Sequence, residues 1–308
     1  MTFLGVFLTQ IYLFMLNNRI FFYIFVLKFI KSYFMEKKRI LFVSQEITPF
    51  LPKTELSSTA RKLPQGIQEN GKEIRVFMPR FGTINERRHQ LHEVIRLSGM
   101  NLIIDDTDHP LIIKVASIPT ARMQVYFIDN EEYFKRKSVL TDNDGKEHKD
   151  NDERSMFFCR GVLETVKKLG WKPDVIHCHG WMTSLMPMYI KEVYNNDPHF
   201  SDTKVVYSIY NNPFNKSWDN DFVKKIKFEG FNDDTVEAIK SGDFLSLNEK
   251  AIRSSDGVII GTEDVHEKLA SVYENVECHK MKFNVEETQP KEVSEFFDKV
   301  IEEEVLIE

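Results

Sequence analysis

Residues 39–79 read RILFVSQEITPFLPKTELSSTARKLPQGIQENGKEIRVFMP. The apolar run at 39–44 is typical of a buried parallel strand. Apolar residues then recur at helical spacing, which predicts a helix over 57–70 that begins at a pair of serines, common capping residues. A second strand pattern at 72–79 completes a β-α-β unit. Such a unit predicts a parallel sheet covered by helices.

The same alternation continues along the chain. Short spacers separate the next three strand patterns, which predicts an antiparallel or mixed extension of the sheet at 101–105, 111–117 and 123–129. A polar loop at 150–154 and a long amphipathic helix follow. Further strands are predicted at 174–178, 204–209 and 257–261, and further helices at 181–194, 247–254, 263–273 and 290–304. We therefore predict an α/β fold with a single Rossmann-like, doubly wound, mostly parallel sheet over 35–288, and a terminal helix within 289–308.

Composition excludes several classes of protein. The 308 residues carry 41 Lys+Arg and 47 Asp+Glu, a formal charge of −6, which argues against a nucleic-acid-binding protein. The three cysteines form no CxxC pair and are too few for a disulfide framework, so a reducing compartment, the cytoplasm, is expected. No metal or other cofactor is predicted.

The first 34 residues differ from the rest because they are almost wholly apolar. Asn17, Asn18 and Arg19 interrupt the run before it reaches the roughly 20 residues of a membrane-spanning helix. A signal peptide would need a basic start and a small-residue cleavage site. We expect Met35 to be the true start; the alternative is a membrane anchor, which would leave the domain on the cytoplasmic side.

The most informative stretch for function is PDVIHCHGW at 173–181. His177 and His179 alternate onto one face at the carboxyl end of a strand, where open α/β sheets bind ligands. They are predicted to line a cleft, and the alternative is that both cap the sheet with satisfied hydrogen bonds. The next strand ends in Tyr210 and Asn211, which can hydrogen-bond a sugar or form a polar turn.

Two loops offer weaker signals. The loop at 45–58 follows the first strand, where such folds place phosphates, yet it has no glycine and is expected to be a plain connection. The acidic loop at 141–153 fails the EF-hand pattern because Leu140 stands in the first position, so a solvated loop is expected. No nucleophile motif is apparent, and no catalytic residue is predicted.

Six segments, in collinear order, resemble the amino-terminal half of bacterial glycogen and starch synthases. They are ILFVSQEITPF, LPQGI with GKEIRVFMPRFG, DNDERSMFFCRGVLE, PDVIHCHGWMTSLMP, VVYSIYN and AIRSSDGVIIGTEDVHEKL. The family consists of retaining glucosyltransferases that move glucose from ADP-glucose to the non-reducing end of an α-1,4-glucan. The resemblance implies one half of a two-Rossmann, GT-B type enzyme, with α-glucan and ADP-glucose as partners.

The family's functional motifs can be placed on this chain. Its Lys-x-Gly-Gly motif, which approaches the nucleotide diphosphate, falls on PKTE at 52–55, and its His-Ala-His-Asp-Trp run is HCHGW at 177–181. Its catalytic-site histidine falls at Tyr210. By this resemblance the predicted substrate-binding residues are Lys53, His177, His179, Gly180, Trp181, Tyr210 and Asn211.

Two functional hypotheses follow. The segment 262–308 is shorter than the second α/β domain of about 150 residues that supplies most of the nucleotide site in such synthases. The chain is therefore expected to be degenerate, or to transfer glucose only with a partner chain that carries the second domain, its cleft of His177, His179, Trp181 and Asn211 holding the acceptor. The alternative is a non-catalytic module that binds glucan or regulates a complete synthase.

Overall fold

The computed structural model describes residues 37–302 except positions 143, 220, 285 and 287. The chain divides into two compact units, Met1–Lys37 and Lys38–Glu308, and the second is described below. The expected membrane anchor or mis-assigned start at 1–34 lies outside the described residues. Of the helices within the described part of the chain, none is long and apolar enough to cross a membrane.

Ten strands and ten helices make up the described domain. In chain order they are β1 (Arg39–Ser44), α1 (Glu55–Glu69), β2 (Glu73–Pro79), α2 (Glu86–His89), β3 (His92–Glu93), β4 (Met100–Ile104), β5 (Thr107–Ile118), β6 (Met123–Asp129), α3 (Glu131–Phe134), α4 (Asn151–Lys168), β7 (Val175–His179), α5 (Met186–Met188), β8 (Lys204–Ile209), α6 (Phe222–Phe228), α7 (Asp233–Ile239), α8 (Phe244–Arg253), β9 (Gly257–Ile260), α9 (Glu267–Asn275), β10 (His279–Lys282) and α10 (Pro290–Glu302).

The sheet has the order β10-β9-β8-β7-β1-β2-β6-β5-β3, with β4 paired to β5. Strands β10 through β6 in this order are parallel, whereas β5 is antiparallel to β6, β4 and β3. The predicted α/β fold with a mostly parallel sheet and a mixed extension is confirmed. Because β1 is central, with β2 on one side and β7 on the other, the chain reverses its winding direction there, and such switch points form ligand crevices.

The central strand β1 explains why the sheet is buried on both faces. Five of its six residues are buried, as expected for a continuous apolar run in a parallel sheet. Phe42 lies beside His177 in the pairing register, and Ser44 lies beside His179. The alternation of strand side chains therefore places all four on one face, which helices cover.

Helix α1 begins earlier than the serine pair predicted. Thr54 is its N-cap: Thr54 Oγ1 accepts from the Ser57 backbone N–H at 3.0 Å, and Ser57 Oγ accepts from the Thr54 N–H at 2.8 Å. This reciprocal pair is a capping box, which satisfies two backbone donors that a helix start leaves open. Ser57 is thus the third residue of the helix, and the helix begins two residues before the predicted start.

Two predicted segments differ from the structure in their type of secondary structure, and the helix predicted at 263–273 begins only at Glu267. The helix expected at 181–194 is a succession of short pieces, a 3-10 turn at Trp181–Thr183, the single turn of α5 and a π turn at Tyr189–Val193. The loop expected at 150–154 is the first turn of α4. Arg154 in that turn is fully buried, and its guanidinium donates to the carbonyl oxygens of Tyr133 and Val139, so charged residues there mark a buried helix start.

The helix predicted at 290–304 is observed as α10, and its expected inward residues are buried: Val293, Phe296, Phe297 and Val300. The Phe297 ring packs against Phe42 and His177, with ring centroids 6.3 and 5.4 Å apart. Lys72 Nζ, just after α1, donates to Ser294 Oγ and to Asp298 Oδ2, both at 2.8 Å. Helix α10 is therefore part of the layer that covers β1 and β7.

Candidate functional site

The carboxyl ends of β1, β7, β8 and β9 meet at one edge of the sheet, where two predicted site residues, His179 and Tyr210, are joined. His179 Nδ1 lies 3.0 Å from Tyr210 Oη. His177 lies two residues before His179 in β7. Its Nε2 is 2.7 Å from Ser208 Oγ, and its ring centroid is 4.0 Å from that of His179. The alternation of the strand thus brings together the pair that the sequence placed on one face.

This histidine cluster is sealed from solvent. Both histidines have no exposed surface, and Tyr210 is 4% exposed. Burial lowers the pKa of His179 to about 3, and burial together with the nearby His179 lowers the pKa of His177 well below its ordinary value. Both rings are consequently neutral near pH 7. Within the described residues, His177 Nδ1 and His179 Nε2 have no hydrogen-bond partner.

Gly180 follows the cluster in a conformation that favours glycine. Its φ of 88° and ψ of 162° lie in a region that other residues rarely adopt. A Cβ atom at this position would stand 2.5 Å from Gln45 Oε1, which accepts the Met182 backbone N–H at 3.3 Å. The close approach of Gln45 therefore leaves no room for a side chain at position 180 unless Gln45 moves.

Gly180→Ala is expected to lower the free energy of unfolding by at least about 2 kcal/mol, because the backbone strain alone costs about 1–3 kcal/mol and the Gln45 side chain must also move. Gly71→Ala is the matched control, since Gly71 also has a positive φ, of 90°, but an added Cβ there meets nothing within 4 Å. Urea denaturation of both variants measures the difference. Equal losses for the two glycines would show that the contact with Gln45 is unimportant.

The loop after β1 is closed by its own side chains. Glu46 Oε2 accepts from Thr54 Oγ1 at 2.9 Å, and Glu46 Oε1 accepts from Gln45 Nε2 at 3.0 Å. Phe50 is buried beneath the loop. Lys53 is exposed, and its charge contributes, after the hydrogen bond and charge of Lys62, to lowering the pKa of the Glu286 carboxyl.

The remaining predicted site residues fall in two different surroundings. Trp181 is 2% exposed and packs against Phe214 and Trp218, with ring centroids 5.3 and 6.3 Å away. Asn211 is exposed, and its Nδ2 donates to Asp264 Oδ2 at 2.8 Å. The structure therefore groups the histidines with Tyr210, and it places Trp181 in an aromatic cluster. A role for these residues in substrate binding stays a prediction.

One link between two loops was not predicted. Glu147, in the loop expected to be merely solvated, accepts the backbone N–H groups of Asn215 at 2.7 Å and Lys216 at 3.0 Å, one on each carboxylate oxygen. The sequence offered a partial signal, since Phe214 and Trp218 are large aromatic residues in an otherwise polar loop. Among the described residues no group of three or more His, Cys, Asp or Glu is placed to hold a metal ion.

Comparisons with known proteins agree on one family. Residues 39–278 match the family described as the starch synthase catalytic domain. The glycogen synthase of Chlorobium limicola is 43% identical over 174 residues, which are 56% of this chain and 36% of that protein. The glycogen synthase of Chlorobaculum tepidum is 41% identical over 174 residues, again 56% of this chain and 36% of that protein. The chain thus spans about a third of the length of the glycogen synthases that it matches.

A solved structure shares the fold. It is the catalytic domain of starch synthase IV from Arabidopsis thaliana bound to ADP and acarbose, with a TM-score of 0.56 and 17% sequence identity. The superposition covers 73% of this chain and 45% of that one.

Proposed function

Because the chain belongs to the starch synthase catalytic domain family, we propose that it binds α-glucan in glycogen or starch metabolism and does not transfer glucose from ADP-glucose by itself. The observation that carries the loss of transfer is the sealed sheet edge, where His179 is fully buried and hydrogen-bonded to Tyr210. Glucan binding is proposed from the family match. A ring without exposed surface cannot touch a sugar in this conformation. We place the protein in the cytoplasm, where glycogen and its precursors are handled.

Three differences in side chain support the loss of transfer. The position of the family's diphosphate-binding lysine holds Pro52, the position of its aspartate holds Gly180, and the position of its catalytic-site histidine holds Tyr210. Groups positioned to stabilise the charge that develops in the transition state commonly make the largest single contribution to an enzyme's rate enhancement. Removing one such donor costs about 2.7–4 kcal/mol of transition-state stabilisation. Loss of three such groups would leave little transfer.

A second candidate is glucosyl transfer completed by a partner chain with a second glycosyltransferase domain. The region matched to the Chlorobium limicola glycogen synthase is 36% of that protein. In that arrangement this domain would hold the α-glucan acceptor, and the partner would hold ADP-glucose.

Incorporation of labelled glucose from ADP-glucose into glycogen tests the proposal. We expect the purified chain to incorporate no label above background, with a complete glycogen synthase as the positive control. In a native gel cast with glycogen, we expect the same chain to be retarded relative to a gel without glycogen. Incorporation by the chain alone would refute the loss of transfer, and unchanged mobility would refute glucan binding.

A further inference from the structure

A groove lined by arginine side chains lies at the sheet edge opposite the histidine cluster. It consists of two adjoining pockets that share Gln68 and Arg122, beside the amino ends of β2 and β6. We call it the arginine groove. Because β1, β2, β6 and β7 are parallel, these amino ends lie at the other end of the strands from His179. None of the predicted substrate-binding residues is among the described residues that line the groove.

The smaller pocket of the groove is positively charged. It is lined by Arg75 and Arg122, and the other described residues of its lining carry no charge. In the larger pocket, Arg122 is accompanied by one carboxylate, that of Glu69. The lining of the groove therefore carries more positive than negative charge, in a chain whose formal charge is −6.

Arg75 is held in place by two aromatic rings. Its guanidinium carbon lies 5.8 Å from the ring centroid of Tyr126 and 5.1 Å from that of Trp171, and its Nη1 donates to Tyr126 Oη at 2.8 Å. The neighbouring Glu73 carboxylate accepts instead from Trp171 Nε1 at 2.6 Å and from Arg39 Nε at 3.4 Å. A guanidinium that is already fixed loses little freedom when a ligand binds.

The donors of Arg75 differ in their access to the groove. Its Nε–H is buried and has no partner among the described residues, so it does not reach a ligand. The terminal amino groups are the donors that can do so, since the side chain lines the smaller pocket and is only partly buried.

A third guanidinium, that of Arg61, borders the larger pocket. It donates to Gln65 Oε1 at 2.8 Å and to Thr120 Oγ1 at 2.9 Å, and both of these neutral residues line that pocket. Burial lowers the pKa of Arg61, because this cation has lost part of its hydration. Within the described residues, none of the side-chain hydrogen bonds of Arg61 or Arg75 goes to a carboxylate.

Unpaired guanidinium groups at one site indicate an anionic ligand. A planar guanidinium matches a phosphate group, to which it donates two parallel hydrogen bonds. Arg75 and Arg122 line the same pocket, so both can contact one phosphate. The larger pocket suits hydroxyl groups, because Gln68 and Thr120 offer neutral donors and acceptors, and Glu69 would repel a second phosphate.

We propose that the arginine groove binds a small organic phosphate monoester. The phosphate group lies in the smaller pocket, of about 230 Å³, between Arg75 and Arg122. The hydroxylated body of the ligand lies in the larger pocket, of about 530 Å³. This site is separate from the predicted glucan cleft and lies at the other edge of the sheet, so the inference does not depend on glucan binding.

Isothermal titration calorimetry of the full chain with ribose 5-phosphate, inorganic phosphate and ribose tests this assignment. We expect ribose 5-phosphate to bind more tightly than inorganic phosphate, and ribose to give no binding heat. Arg75→Gln and Arg122→Gln are each expected to weaken ribose 5-phosphate binding at least about tenfold, the effect of one charge-assisted hydrogen bond. Arg253→Gln is the matched control, because it removes the same charge from a 51% exposed side chain in α8.

The variant Arg122→Gln keeps the experiment decisive if Arg75→Gln fails to fold. Arg122 is exposed and has a φ of 50°, which glutamine meets at the same backbone cost as arginine. Its thermal midpoint should match that of the unsubstituted chain. Unchanged affinity for ribose 5-phosphate in Arg122→Gln would overturn the assignment.

The remaining outcomes also decide the proposal. If neither phosphate compound binds the unsubstituted chain, the proposal is wrong. An equal loss in Arg253→Gln would show that net charge, and not the groove, governs binding. Equal affinity for inorganic phosphate and ribose 5-phosphate would refute the role of the larger pocket. Retardation of the same chain by glycogen is measured separately, so failure of this proposal leaves the proposed glucan binding untouched.

Discussion

Replacing Phe297 by alanine is expected to lower the free energy of unfolding by about 3–5 kcal/mol, the usual cost of removing a fully buried phenylalanine ring. The ring has no exposed surface and packs against Phe42 and His177 under α10. The alanine variant leaves a cavity between the helix and the sheet, because neighbouring side chains relax only in part. Urea denaturation followed by circular dichroism measures the loss.

Lys291→Ala serves as the control in the same helix. Its side chain is 72% exposed, and surface substitutions usually change stability by less than about 0.5 kcal/mol. A loss below about 1 kcal/mol for Phe297→Ala would mean that α10 does not pack on the sheet in solution.

Acidification from pH 7.5 to pH 5 is expected to destabilise the domain by about 2 kcal/mol through His179, and His177 acts in the same direction. Both have a folded-state pKa below the ordinary value of 6.5, about 3 in the case of His179. Between the folded and the ordinary pKa the unfolded chain binds more protons, so stability falls as the pH drops through 6.5. At pH 5, which is 1.5 units below 6.5 and well above the folded pKa of His179, this histidine contributes about 2 kcal/mol.

The variant His179→Asn isolates one of these contributions. Asparagine can present its oxygen near the position of Nδ1 and so keep the contact with Tyr210, but it does not titrate. Urea denaturation at pH 7.5, 6.5 and 5 should show about 2 kcal/mol less acid destabilisation in the variant. Titration of carboxylates and of histidines other than His177 is common to both proteins and cancels in the comparison. His179 also lowers the pKa of His177, so its removal changes the pH dependence through His177 in the same direction. Identical pH dependence would show that His179 is not held neutral in the folded state.

Strand patterns predicted the sheet well because parallel strands are buried on both faces and stand out as apolar runs. The boundaries of β1, β6 and β8 agree with the sequence prediction. The strand β10 escaped detection because its sequence, His279-Lys280-Met281-Lys282, is that of an edge strand half exposed to solvent. The helices α6 and α7 lie in a polar stretch of the chain. Each has only seven residues, about two turns, which is too short for a helical repeat of apolar residues to be recognised.

The site was predicted only in outline. Alternation along a strand is a local property, so the shared face of His177 and His179 followed from the sequence. Their burial did not, because it depends on α10, whose packing partner lies more than a hundred residues away along the chain. The hydrogen bonds from the backbone amides of Asn215 and Lys216 to Glu147 join two loops that are distant in sequence. A repeating pattern of apolar residues cannot predict such a contact.

The docking of α10 onto the layer that contains α1 also bears on how the protein folds as it is made. The contact between Lys72 and Asp298 joins residues 226 positions apart. Ribosomes add about 5–20 residues each second, so the face around Phe42 lacks α10 for roughly 10 seconds or more after α1 has emerged. Contacts of such high sequence separation also slow folding itself. Part of the apolar face around Phe42 therefore remains uncovered in the nascent chain until α10 has been made.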